Sequence, residues 1–297
     1  MDDLISVIMS TYNESIAEIS ESVDSILRQT YSNLELIIII DNPDNIELCS
    51  YLYTLKDSRI RIIKNENNIG LVKSLNKAIS YAHGKYIARM DADDISECDR
   101  LKSQKQFMDE NQLDFVGGCI QLIDEKGKYI SNLHFPTSQY TINFFLKWGS
   151  CIPHPTWLLK KEVYIRLNGY RDIPRCEDYE FICRAIHYKY KIANIDQYVL
   201  KYRIRSKSIS NSKKASQYIL RRFISKNRKK NLSELDVKEF IQSKQFEREV
   251  QEYEEFQMLK MEMGKKPSFI CLFKISMNYN TYCLGLEKIF LKFRNLI

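Results

Sequence analysis

The chain has 297 residues, 44% of them hydrophobic and 28% charged. That balance excludes intrinsic disorder and fibrous repeats over most of the length, and it fits two domains or one large α/β domain with an extension. The net charge of +7 is uneven: residues 1–200 hold 23 basic and 28 acidic side chains, residues 201–297 hold 22 and 10, and the segment 201–230 has 12 basic residues and no acidic one. No run of about 18 uncharged apolar residues occurs, which argues against a spanning helix. The acidic start, Met1-Asp2-Asp3-Leu4, lacks the basic n-region of a secretory signal. A cytoplasmic location is expected.

In chain order, residues 4–9 (LISVIM) read as a buried strand. Polar Ser10-Thr11-Tyr12-Asn13-Glu14 follows, then a helical pattern from Ile16 through Ile19, Val23, Ile26 and Leu27. Residues 34–40 (LELIIII) form a second strand, ended by the turn Asp41-Asn42-Pro43-Asp44-Asn45. A helix through Leu48, Leu52 and Leu55 leads to a third strand at 60–63 and the loop 65–70. Leu71, Leu75, Ala78, Ile79 and Ala82 mark another helix, stopped by Gly84. The fourth strand, 86–90, runs into Asp91-Ala92-Asp93-Asp94. Alternating strands and helices predict βαβ units and a mostly parallel sheet. Four polar clusters follow the C-terminal ends of these four strands, where an open parallel sheet binds its ligands.

The pattern loosens after residue 114. A strand is expected at 115–123, a hairpin turn at 124–128, a helix at 138–147, another at about 178–190 and a short strand near 192–200. Beyond 207 the signals are helical: one helix through Phe246, Val250, Tyr253 and Phe256 to Gly264, and another through Tyr282, Leu286, Ile289, Phe290 and Phe293. The eight cysteines form no Cys-x-x-Cys pair and none sits near a His at zinc-ligand spacing. They read as small buried hydrophobes.

Asp91 and Asp93, two residues apart on a loop, can share a hard divalent cation and its phosphate ligands. Helix capping by Asp94 or Ser96 would explain one acid of the three, not all. Thr11, Glu14 and Asp41 lie on neighbouring loops whose donors and acceptors suit a ribose and a base edge. Neither a Gly-x-Gly-x-x-Gly fingerprint nor a Walker loop is present, so phosphate must be held by metal and basic side chains. Glu177 and Asp178 open a helix, where a carboxylate can serve as a general base or interact with the helix dipole. His154 is a weaker candidate for a substrate contact. Arg203 opens the basic block and could close over a diphosphate. The block itself suits a polyanion such as nucleic acid, acidic phospholipid or a diphosphate.

Together these residues resemble the family 2 inverting glycosyltransferases, over roughly residues 4–205. The resemblance rests on an ordered series: Ser10-Thr11-Tyr12-Asn13-Glu14, Ser25 to Tyr31, Asn68-Ile69-Gly70-Leu71, Ser74 to Ile79, Ala88 to Asp94, Arg100-Leu101, His154-Pro155-Thr156, Gly169-Tyr170, Glu177-Asp178 and Tyr202-Arg203. It implies a GT-A fold: an α/β, Rossmann-like, mostly parallel sheet flanked by helices. The nucleotide-binding half would span about 1–95 and the acceptor half about 96–205, with a basic, amphipathic helical region over 206–297. It implies a transferase that moves one sugar from a nucleotide-sugar, with UDP the expected nucleotide, to a hydroxyl of a glycan. Thr11, Glu14 and Asp41 would hold the nucleoside, with Lys73 near the base or diphosphate. Asp91 and Asp93 would form the family's D-x-D pair, binding Mn²⁺ or Mg²⁺, with Asp93 the direct ligand. Asp178 would be the catalytic base, and Glu177, His154, Arg203 and Arg205 would contact diphosphate or acceptor.

Three departures stand out. Ile40 replaces the first Asp, and Asn42-Pro43 the Gly-Ser, of the usual Asp-Asp-Gly-Ser. Arg205 stands where many members carry His. The Gln-x-x-Arg-Trp motif of processive members is missing, so single transfer is expected. The tail, outside the resemblance, suits an anionic membrane surface, and the alternatives are a helical pair packed on the catalytic domain or a homodimer interface. By analogy with the family, the acceptor is a lipid-linked oligosaccharide of capsule or O-antigen assembly on the inner face of the membrane, and no nucleic-acid partner is expected. Rival readings are a nucleotidyltransferase, a polyanion-binding protein using 201–230, and an inactive scaffold.

Overall fold

The computed structural model describes residues 2–205, 214–230 and 237–265. Among them, nine strands form one sheet in the order β3-β2-β1-β4-β8-β6-β9-β5, with β7 paired to β6. The first half is parallel throughout: β1 (Ile5–Thr11) lies between β2 (Leu34–Ile40) and β4 (Tyr86–Asp91), and β3 (Ile60–Lys64) borders β2. The second half is mixed. β8 (Leu158–Lys160) runs antiparallel to β4 and to β6 (Phe115–Ile123), β9 (Ile192–Arg203) runs parallel to β6, and β5 (Ile95–Ser96) runs antiparallel to β9.

Period-two alternation gives each strand two buried faces. Val7, Met9, Leu36, Ile38, Ile40, Ala88 and Met90 pack on one face, against α1 (Ile16–Leu27), α2 (Ile46–Thr54) and α4 (Arg100–Glu110). Ile8, Ile37, Ile39 and Ile87 pack on the other, against α3 (Leu71–Tyr81), α5 (Gln139–Phe145), α6 (Lys161–Arg166) and α7 (Glu177–His187). Each fully buried Ile or Leu contributes about 1.5–3 kcal/mol, so LELIIII is tied to its register. A one-residue slip would exchange the two faces.

Helix starts follow local chemistry. Ser15 and Glu18 form a reciprocal capping box on α1, Asn45 caps α2 and Ser138 caps α5. Gly70 precedes α3 at φ 86°, a conformation that favours glycine.

The described part of the basic region after β9 buries its apolar side in the domain. α8 (Lys214–Asn227) buries Tyr218, Ile219, Leu220 and Ile224 in the same core as the sheet, and Val237 and Phe240 of α9 (Val237–Ile241) join them. Phe246, Val250 and Tyr253 of α10 (Lys244–Lys265) pack on that cluster, with Tyr253 stacked on Tyr218 at 4.6 Å. For these helices the structure matches the alternative of a helical group packed on the domain. The helix expected through Tyr282–Phe293 lies outside the described residues, among which no helix is long and apolar enough to cross a membrane. The 138–147 helix is shorter than expected, and the two-residue β5, the short β8 and the six-residue α6 have no counterpart in the sequence reading.

Candidate active site

β1 lies between β2 and β4, and the loops after β1, β2 and β3 are bound to one another. The backbone N–H of Asp41 donates to the Thr11 carbonyl at 2.9 Å, and that of Asn65 donates to the Ile40 carbonyl at 2.9 Å. In the first loop Glu14 accepts from the Thr11 hydroxyl at 2.5 Å and from the Tyr12 N–H at 2.7 Å. Asn42 donates to the Asn13 side chain at 2.7 Å, which joins the first loop to the second. That gives the departure from Gly at position 42 a use. Ile40, where an Asp was expected, is fully buried in the core.

Asp41 is turned inward. Its two oxygens accept from Asn65 Nδ2 at 2.8 Å, Ile69 N–H at 2.9 Å and Gly70 N–H at 3.0 Å, which shapes the loop before α3. Lys77 donates to Asn65 Oδ1 at 2.7 Å and so supports this arrangement, whereas Lys73 is exposed on the first turn of α3. The resemblance points to Lys73; Lys77, which makes this contact, lies one helical turn further on the same helix.

The acidic loop after β4 holds the main concentration of charge. Asp91, Asp93 and Asp94 each offer a carboxylate oxygen, all within 4.8 Å of one another. Burial and the neighbouring Asp91 push Asp93 up to about 7, against the opposing pull of Arg205. Asp94 is 1% exposed and raised by burial and by Asp91 and Asp93; one oxygen accepts the Arg203 N–H at 2.8 Å and the other, buried, has no hydrogen-bond partner. Asp94 therefore caps no helix, and Ser96 lies in β5. An all-oxygen set of three clustered carboxylates with a spare buried acceptor fits a hard divalent cation.

Two arginines of the basic block brace this loop. Arg203, 5% exposed, donates from Nε to the Asp93 carbonyl at 2.8 Å, from Nη1 to the Glu125 carbonyl at 3.2 Å and from Nη2 to Glu21 at 2.6 Å. Its fork is committed to the chain's own acceptors, so the structure makes it a strut rather than the expected diphosphate contact. Arg205 pairs with Glu18 at 2.9 Å and with Asp93 at 3.0 Å, so the cation expected at this place lies directly against the acidic loop.

In the sequence Arg89 is one member of the motif series. It shares a strand face with Asp91 two residues on, is 2% exposed and forms an ion pair with Asp91. A lone Arg in an otherwise apolar strand, two residues before the acids, was the signal for it. Arg89 also lowers the pKa of both Glu177 and Asp178, which begin α7. Burial pushes Glu177 up to about 7, helped by Asp178, and burial raises Asp178 against hydrogen bonds from the backbone N–H groups of Tyr179 and Asp178. Asp91 acts on both acids across the site, so the two acidic groups and Arg89 share one electrostatic environment.

His154 belongs to the wall behind them. Its Nε2 is 2.8 Å from the Tyr170 hydroxyl, which is 2.8 Å from that of Tyr164, and its ring packs against Trp157. Burial and Arg89 hold it well below the usual histidine range, so it stays neutral. The structure thus gives His154 a packing and hydrogen-bonding role in place of the expected substrate contact. Gly169, at φ 68°, lets Tyr170 turn in: a Cβ there would lie 2.5 Å from the Asn76 side chain that holds the Tyr170 backbone. α8 packs beside the start of α7, with Gln217 donating to the Arg175 carbonyl at 2.8 Å.

Comparisons with known proteins identify the family and the fold. The family model for glycosyl transferase family 2 matches residues 6–167. An O-antigen biosynthesis glycosyltransferase of Escherichia coli, WbnJ, is 38% identical over 233 residues, covering 75% of this chain and 90% of its own length. An uncharacterized glycosyltransferase of Methanocaldococcus jannaschii is 37% identical over 72% of this chain and 76% of its own. Among solved structures, S. aureus TarS in complex with UDP-GlcNAc superposes with a TM-score of 0.59 at 19% identity, covering 75% of this chain and 66% of that one. The mannosyltransferase of Pyrobaculum calidifontis in complex with GDP-Man and Mn²⁺ gives 0.59 at 16% identity, covering 98% and 82%. These structures are GT-A glycosyltransferases, and their likeness extends to the fold. The loops at the ends of β1, β2 and β4, the acids they carry and these matches together assign the chain to glycosyl transferase family 2.

Proposed function

We propose that this glycosyltransferase is inverting, metal-dependent and non-processive, and that it moves one sugar from a nucleotide-sugar, UDP-linked, to a hydroxyl of a lipid-linked glycan in surface polysaccharide assembly. The observation that carries the reading is the cluster Asp91/Asp93/Asp94, paired through Asp91 with Arg89, whose charge also acts on Glu177 and Asp178. Asp91 and Asp93 would hold Mn²⁺ or Mg²⁺, which when bound neutralises the charge of a departing diphosphate. The loops of Thr11, Glu14 and Asp41 form the shelf for the nucleoside. Asp178 takes the proton of the acceptor hydroxyl as that oxygen attacks the anomeric carbon from the face opposite the nucleoside diphosphate. Its raised pKa makes it a stronger base than an exposed carboxylate. Alignment of the two reactants supplies much of the rate. The acceptor class is supported by a further E. coli relative, a UDP-Glc:alpha-D-GlcNAc-diphosphoundecaprenol beta-1,3-glucosyltransferase, 36% identical over 44% of this chain and 53% of its own length. The basic C-terminal region would bring the enzyme to the anionic inner face of the membrane.

Calorimetric titration with UDP, dTDP and GDP, each with and without Mn²⁺, tests the donor side. Metal-dependent binding of UDP is expected. Metal-independent binding, or tighter binding of another nucleotide, would overturn the corresponding part of the proposal.

A further inference from the structure

A second group of metal-ligating side chains lies away from the acidic loops, at the junction of β6, β9 and β7 (Tyr129–Leu133). Cys119 Sγ is 3.8 Å from His134 Nδ1 and 3.9 Å from Asp196 Oδ1, and these last two atoms are 3.6 Å apart. Spacing does not reveal this group, because the Cys and His are 15 residues apart and the Asp is 77 residues from the Cys.

Backbone topology explains the meeting. β6 and β7 pair antiparallel with Ile120 opposite Leu133, so His134, the next residue, falls beside Cys119. On the other side the β6–β9 register jumps: Gly118 faces Ile195, but Cys119 faces Tyr198. Asp196 and Gln197 are thrown out of the ladder, and the bulge turns the Asp196 carboxylate towards the sulfur. Bulges are concentrated beside functional sites because they re-aim side chains in this way.

We propose that Cys119, His134 and Asp196 form a binding site for a borderline-soft divalent cation, with Zn²⁺ the expected metal. A tetrahedral zinc ion, with bonds of about 2.3 Å to sulfur and about 2.0–2.2 Å to nitrogen and oxygen, needs ligand separations of about 3.3–3.6 Å. The two gaps to sulfur reach that range by closing about 0.2–0.3 Å, and the 3.6 Å gap between His134 and Asp196 is already within it. The donor set of one sulfur, one nitrogen and one oxygen favours zinc over magnesium or manganese. The site also has supporting contacts: the other ring nitrogen of His134, Nε2, is hydrogen-bonded to the Tyr198 hydroxyl, which fixes the ring with Nδ1 towards the sulfur. Cys119 is buried while His134 and Asp196 are half or more exposed, so a cation can enter from solvent and keep its fourth position open to water. Bound there, it would clip the end of β7 to the bulge of β9.

The test uses the full chain under reducing conditions, with Co²⁺ as a spectroscopic probe and Zn²⁺ as competitor. A sulfur-to-cobalt charge-transfer band that Zn²⁺ abolishes is expected. It should be lost in Cys119→Ser and in His134→Ala, and retained in Cys98→Ser and in Asp93→Ala. Because His134 and Asp196 are exposed, His134→Ala and Asp196→Asn leave the fold intact if Cys119→Ser does not. Tyr198→Phe should weaken Zn²⁺ binding by roughly 10–100-fold. No charge-transfer band in the unmodified chain, or one that survives His134→Ala, would overturn the site.

Discussion

The two halves of the sheet do different work. β3, β2, β1 and β4 are parallel and run without a register shift, and each ends in a loop facing the crevice. β8, β6, β9 and β5 mix directions, and β9 slips register against β6 at Cys119. The regular half presents the acids and the loops of Thr11, Glu14 and Asp41. The irregular half supplies what holds them: β9 ends at Arg203, whose guanidinium reaches Asp93 and, 182 residues away in sequence, Glu21. A regular sheet places loops, and a sheet that breaks its pattern can re-aim side chains to support those loops.

This division can be broken from either side. Removal of the base should have the largest effect: Asp178→Asn should lower kcat by roughly 10²–10⁴-fold while leaving donor affinity nearly unchanged. Transfer assays paired with nucleotide titration check it, and undiminished turnover would rule out Asp178 as the base. Arg203→Met, in the irregular half, leaves the Asp93 and Glu125 carbonyls without that donor and should cost about 1–3 kcal/mol in denaturant unfolding. It should also weaken Mn²⁺ binding, because the acidic loop loses its strut. Loss of stability with full metal affinity would show that the two halves are less coupled than the contacts imply.

The acids of both groups make a prediction about pH. Asp93 and Glu177 are each raised to about 7 in the folded chain, above the 3.8 and 4.5 of unfolded carboxylates. A raised folded pKa gives stability that is fully present below the unfolded value and lost as pH rises through the folded one. The metal-free chain should therefore lose Tm between about pH 5 and pH 8. Mn²⁺ should restore more of it at the higher pH, where Asp93 is ionised and available. Calorimetric scans with and without Mn²⁺ measure both slopes, and an equal Mn²⁺ shift at the two pH values would argue against Asp93 as a ligand.

Much of the regular half was legible because its information is local. The runs at 34–40 and 115–123 mark their strands to the residue, and the polar clusters mark the loops. The acids were legible too, because Asp91, Asp93 and Asp178 sit at element ends. What the sequence concealed depends on contacts remote in the chain. Arg203 reads as one member of a basic run until β9 carries it against Asp94, 109 residues earlier. The charge of 201–230 likewise looked available to a polyanion, yet Arg203 and Arg205 are spent on internal acids and Arg221 donates to the Trp148 carbonyl. His154 read as a candidate contact because its neutral, buried setting depends on Tyr170 and Arg89 from other elements.

The finest test separates Lys73 from Lys77, one turn apart on α3. Lys77 is tied to Asn65 and through it to Asp41, so Lys77→Met should cost about 1 kcal/mol and blunt donor affinity indirectly, by loosening the loop. Lys73 is exposed, and its replacement by Met should stay within about 0.5 kcal/mol in stability. If Lys73 reaches the diphosphate, Lys73→Met raises the donor KM with unchanged Tm, whereas Lys77→Met moves both. A pair in which only Lys77→Met changes KM would assign the recognition at this end of the crevice to the shape of the Asp41 loop rather than to a direct cation, because the regular half would then bind by backbone placement alone.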